Sequence, residues 1–161
     1  MNMIDLVVES CFKYLKGISP TVPIYIGVDM MPDKNKTPEK LNQLAQYIAN
    51  LETRYANQSN IVIVPQDVHR HLAGMVNNTL SLIKTKYVYV LQHHFPFARD
   101  VDHRNLVKSM EEYPEYLRCV RFNYKLWNRE RPCLDLNQNG TTPADHVNGL
   151  DFYSSNTWSD K

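Results

Sequence analysis

Short apolar runs, each closed by polar residues and separated by segments of helical period, narrow the folds open to this chain. Val22–Val28 reads Val-Pro-Ile-Tyr-Ile-Gly-Val and is closed by Asp29. Ile61–Val64 is ended by Pro65 and followed by Gln66-Asp67. Tyr87–Leu91, Tyr-Val-Tyr-Val-Leu, stops at Gln92-His93-His94 and is broken by Pro96. Runs of this length with no apolar/polar alternation predict strands buried on both faces, as in a parallel sheet. The Tyr87–Phe97 stretch is then the centre of the molecule: a middle strand with polar, metal-competent side chains at its C-terminal end.

The segments between the runs carry helical stripes. Ile4, Val7, Val8, Cys11, Phe12 and Leu15 predict a helix over 3–16, ended by Gly17 and Pro20. Thr37-Pro38-Glu39 is a helix start, with Thr37 as the cap and Pro38 in the first turn, where its missing N–H costs nothing. Leu41, Leu44, Ala45, Ile48 and Leu51 continue that helix to about residue 56. A third stripe covers His71 to Lys84, and a fourth helix is expected over 103–112 with Asp102 as its cap. Leu117–Phe122 reads as a fourth strand nearer an edge, 126–148 as a long loop, and Leu150–Ser154 as a last short strand. The order α-β-α-β-α-β-α-β predicts one α/β domain over residues 1–161, a mostly parallel central sheet with helices on both faces. The opening helix and the polar tail, Asn156 to Lys161, suit a reduced fold or a piece of a larger domain.

Composition excludes several classes. With 43% hydrophobic and 22% charged residues and a net charge of +1, the 161-residue chain has a globular balance. That charge gives no basic surplus for nucleic acid, and no run approaches the roughly 20 apolar residues of a transmembrane segment. Met-Asn-Met-Ile-Asp is no signal-peptide opening. Cys11, Cys119 and Cys133 are odd in number and lack C-x-x-C spacing, which reads as reduced thiols and a cytoplasmic setting. Without a secretory signal, the sequons at Asn35, Asn57, Asn77 and Asn139 are chance matches.

In a parallel sheet the ends of the three strands share a rim, and ligands of open α/β sheets bind there. Asp29 on that rim can accept from a ribose or base, and imidazoles can hold a divalent ion or donate to phosphate. Over about residues 22–95 the layout resembles the nucleotide-binding half of GT-A glycosyltransferases of the family-two type, a Rossmann-like fold. In that family a strand runs into an acidic D-x-D pair that holds Mn²⁺ or Mg²⁺ against the diphosphate of a nucleotide-sugar. Here Tyr87–Leu91 matches the strand and Gln92-His93-His94 fills the D-x-D slot. The resemblance implies that Asp29, Asn77, Gln92 and His93 bind the nucleotide-sugar donor and that His94 ligates the metal. It implies a donor half over 1–95 and an acceptor half over 96–161, with a glycan or other hydroxyl as acceptor; Trp158-Ser159-Asp160 resembles the start of an acceptor-side segment. Asp145 and His146 could supply the general base that an inverting transfer needs.

The chain departs from the family where the chemistry is most demanding. Neither carboxylate of the D-x-D is present. Mg²⁺ prefers oxygen ligands, whereas Mn²⁺ tolerates imidazole better. The Arg that precedes the family's Asn is Val76 here. Asp100-Val101-Asp102 spells D-x-D by letter, and reads as a helix cap before it reads as a metal site. A catalytically reduced GT-A-like binding module is therefore the second reading. A metal-dependent hydrolase, with zinc held by His69 and His71 together with His93 or His94, is the third. Blander roles stand beside these: Asp29 as a turn cap, Asn77 on a solvated helix face, Asp145-His146 as polar loop, and Tyr113, Tyr116, Tyr124 and Trp127 as packing rather than a sugar platform.

Overall fold

The computed structural model describes residues 2–115, 117, 120, 145–147 and 150–152. The chain divides into two compact units, one of Ser19–Val90 and one of Met1–Ile18 with Leu91–Lys161. Helices are interspersed with short strands, two of whose three pairs among the described residues are parallel, so the chain is an α/β mix.

In Ser19–Val90, strand β2 (Ile24–Val28) pairs in parallel with β3 (Ile61–Pro65), from Ile24 opposite Ile61 to Val28 opposite Pro65. The register is pinned at both ends. Ile24 N donates to Asn60 O (2.8 Å) while Asn60 Nδ2 donates to Val22 O (3.0 Å), and Gln66 N donates to Val28 O (2.9 Å). Helix α2 (Pro38–Tyr55) makes the crossover and packs on β3. Its start is the expected one: Thr37 Oγ1 accepts from Lys40 N, with Pro38 in the first turn. Its apolar stripe is buried at the C-terminal end, at Leu51 and Tyr55, while Leu41 stays exposed. Helix α3 (His71–Leu80) packs on β2. Gly27 permits the close approach, since a Cβ there would lie 3.1 Å from Met75 Sδ. The helix expected to run to Lys84 stops at Leu80; Leu82 N and Ile83 N close turns on Thr79 O and Leu80 O.

The main correction to the expected fold is Tyr87–Leu91, which is not a strand. Val88 and Val90 are exposed, and the boundary between the two units falls between Val90 and Leu91. β-Branched composition gives a segment the propensity for a strand, but a strand needs a partner edge. Among the described residues each sheet has two strands: β2 with β3, and the pairs given below. Sheet faces expected to be covered are therefore partly open, and Val62 of β3 is exposed.

In the other unit, α1 (Met3–Tyr14) begins with a reciprocal cap: Asn2 Oδ1 accepts from Ile4 N, and Asp5 Oδ2 accepts from Asn2 N. It leads into a two-residue strand, β1 (Leu15–Lys16), which pairs in parallel with β4 (Val101–Asp102). Helix α4 (His103–Glu112) follows, capped by Asp102, whose Oδ1 accepts from Asn105 N (3.1 Å). Leu15, Phe97, Leu106 and Ser109 are buried. Buried Ser10 donates to Val7 O and accepts from Phe97 N (2.9 Å), which ties α1 to the segment after Pro96.

Strands β5 (Asp145–Val147) and β6 (Leu150–Phe152) form an antiparallel pair with Val147 opposite Leu150. Residues 145–147 were expected within a loop. The overlooked signal is Asn148-Gly149 between two apolar-edged runs, a strong short-range sign of a two-residue hairpin. The expected strand Leu117–Phe122 lies largely outside the described residues, as do most of the 126–148 loop, Cys119, Cys133, Tyr116, Tyr124, Trp127 and Trp158–Asp160.

Candidate functional site at the C-terminal end of the β2–β3 pair

A parallel pair brings the residues after both strands to one rim. After β2 comes Asp29; after β3 come Gln66, Asp67, His69 and Arg70. Asp29 Oδ1 accepts from the backbone N–H of Arg70 (2.9 Å), and Asp29 Oδ2 faces His69 Nδ1 (3.0 Å). His69 Nδ1 also lies 2.5 Å from Met30 O. A carbonyl only accepts, so this nitrogen carries the hydrogen and Nε2 is the free-lone-pair nitrogen of the neutral ring. Nε2 stands 3.1 Å from His71 Nδ1.

Arg70 turns its guanidinium toward the same rim. Its Nη2 donates to Asp67 Oδ1 (2.9 Å), and that bond holds the Asp67 carboxyl below the usual carboxylate range. Arg70 Nε is buried and has no hydrogen-bond partner among the described residues. Below the rim, buried Gln66 accepts through Oε1 from Asn78 Nδ2 (2.8 Å) and donates to Val64 O (3.3 Å). The helix α3 asparagine that reaches the strand end is therefore Asn78. Asn77, the residue expected there, is exposed.

His71 opens α3 with φ +55°, a left-handed backbone at a non-glycine residue. Such a conformation costs about 1–2 kcal/mol for an L-residue. Unlike α1, α2 and α4, helix α3 begins without a side-chain cap. Strain of this kind concentrates where a side chain must be held in place.

Gln92, His93 and His94 sit in a turn closed by Phe95 N donating to Gln92 O (3.0 Å) rather than at the end of a strand. The His93 and His94 rings are exposed and meet edge to face, with centres 4.8 Å apart, and His94 also leans on Phe95. Asp29 belongs to the Ser19–Val90 unit and this triplet to the other. Asp100 pairs with Lys16 (3.2 Å) and Asp102 caps α4, so the second D-x-D by letter is structural. Asp145 and His146 lie in β5, opposite Phe152 and Asp151 of β6. Among the described residues no three His, Cys, Asp or Glu side chains converge on a metal position. The Gln92–His94 triplet has no carboxylate, and its two imidazoles face each other edge on, so it does not fit a hard divalent ion.

The residues that sequence reasoning underrated are His69, Arg70 and His71. The available signal was His-x-His with an arginine between, directly after a strand. No protein-family model, curated protein or solved structure matches the chain.

Proposed function

We propose that the protein is a glycosyltransferase of GT-A type, moving a sugar from a nucleotide-diphosphate donor to an acceptor hydroxyl, with the donor bound at the C-terminal rim of β2 and β3. The observation that carries this reading is the bond from Arg70 N to Asp29 Oδ1, which gathers an acidic and a basic side chain on the rim where α/β folds bind nucleotides. Asp29 retains lone pairs beyond its two internal contacts and would accept from the ribose or base. Arg70, through the guanidinium end that Asp67 holds at the rim, and His71 would meet the diphosphate. Charge grows on the leaving diphosphate as the sugar bond breaks, and fixed cationic donors there lower the barrier. The free thiol of Cys11 fits a cytoplasmic setting. Among the described residues no helix is long and apolar enough to cross a membrane.

Melting curves with UDP, GDP and dTDP, each with and without Mn²⁺, test the donor site. Ligand at a hundredfold over Kd stabilises the folded state by about 2.7 kcal/mol. One nucleotide should raise the melting temperature, and Arg70→Ala should remove the rise. No response to any of the three abandons the reading. A response without transfer to any acceptor favours a GT-A-like binding module, which the Gln-His-His sequence at the D-x-D slot also favours.

A further inference from the structure

The geometry points to a transition-metal site formed by His69 Nε2 and His71 Nδ1, a two-imidazole chelate for an ion such as Zn²⁺ or Ni²⁺ with its other positions open to water or an oxygen ligand. It does not rest on the nucleotide-sugar reading, and it lies apart from the Gln92–His94 triplet.

Three observations carry it. First, the His69 ring is oriented from behind. Its Nδ1–H is held between Asp29 Oδ2 and Met30 O, which leaves Nε2 as the outward lone pair. Metal-ligating histidines are held in this way, with the second ring nitrogen donating to a carboxylate or carbonyl. Second, the two ring nitrogens are 3.1 Å apart, yet the ring centres are only 4.0 Å apart, with the planes inclined at 66°. The rings meet edge to face, so the bond between them is bent rather than head-on and both nitrogens border one small gap. That contact is a hydrogen bond in which His71 Nδ1–H donates to His69 Nε2, and a cation would take the place of that proton. With each nitrogen about 2.0–2.1 Å from the ion, a 3.1 Å separation subtends about 100° at it. That angle suits neighbouring positions in either a tetrahedral or an octahedral shell. Third, His71 stands at an uncapped helix start with φ +55°, a left-handed conformation in which histidine is enriched, and its ring meets that of His69. Imidazole ligands select Zn²⁺, Ni²⁺ and Cu²⁺ over Mg²⁺. The side of the ion away from the two rings is exposed, since His71 is exposed, and an oxygen-rich ligand could complete the shell.

The test uses the full chain and the metal alone. Calorimetric titration with Ni²⁺ and with Zn²⁺ should show one site that Mg²⁺ does not compete for. Co²⁺ should shift or broaden the ring-proton NMR signals of two of the six histidines. His69→Ala and His71→Asn should each weaken binding at least tenfold; asparagine accepts the left-handed backbone, so His71→Asn keeps the fold. Asp29→Asn should weaken it by about 10- to 100-fold through the lost orientation of His69. Replacing His93 and His94 together by Ala should leave affinity unchanged. No uptake by the wild-type chain, uptake that survives His71→Asn, or uptake lost with His93 and His94 overturns the assignment. Nucleotide is absent throughout, so failure here is separate from failure of the donor site.

Discussion

Asp29→Ala removes a carboxylate that holds two parts of the Ser19–Val90 unit together. It accepts from Arg70 N at 2.9 Å and from His69 Nδ1 at 3.0 Å, with its side chain about one-quarter exposed. Hydrogen bonds to a charged group contribute about 1.5–3 kcal/mol each when sheltered. The Arg70 bond is part-buried and takes the lower end of that range, and His69 keeps Met30 O as a second acceptor. The expected loss is therefore about 2 kcal/mol rather than the full sum of two. With a urea slope of roughly 1–3 kcal/mol per M, the unfolding midpoint should fall by about 1 M at unchanged slope. Asp29→Asn should fall less, because its carbonyl oxygen can still accept from Arg70 N. The Asp29→Ala and His69→Ala pair should show a coupling of about 0.5–1 kcal/mol in a double-mutant cycle, as residues in contact do. Amide exchange at Arg70 should quicken in both Asp29 variants and most in Asp29→Ala. A midpoint shift under about 0.2 M for Asp29→Ala, or additive single mutants, would refute the rim as the structure's connecting point.

Gly17→Ala should destabilise by about 2 kcal/mol, because φ is +88° and the new Cβ would lie 2.7 Å from Arg104 Nε; adding Arg104→Ala should recover part of the loss in urea unfolding. Burial pushes the Cys11 thiol up to about 11 from 9.0. The unfolded chain therefore gives up this proton first, so stability is level below pH 9 and falls as pH rises through 11. The difference between wild type and Cys11→Ala in urea midpoints from pH 8 to 11 should show that fall, and peptide-mapped iodoacetamide labelling at pH 8 should mark Cys11 slowly. Asp102→Ala should cost about 1 kcal/mol through the lost cap of α4, read from loss of helical signal on heating, and Asp102→Asn should cost less.

Helices α1, α2 and α4 were legible because their causes are local. The stripe from Ile4 to Leu15, Thr37 ahead of Pro38, and Asp102 ahead of His103 act within a few residues, and the structure ends each helix close to where those signals place it. β2 and β3 were legible as apolar runs bounded by polar residues, and Asp29 as the residue at a strand end. Tyr87–Leu91 was misread for a physical reason. Composition states that a segment would pair well, while pairing depends on an available edge elsewhere in the chain. The placement of Gln92–His94 on a turn follows from the same cause. The rim itself was decided by tertiary contacts: Asp29 meets Arg70 across 41 residues and Met30 meets His69 across 39. No local pattern encodes those distances, because side-chain orientation at a strand end is set by whatever the neighbouring strand delivers beside it. Local sequence chose which segments coil and where they stop; the parallel register of β2 on β3 chose which polar groups would face one another.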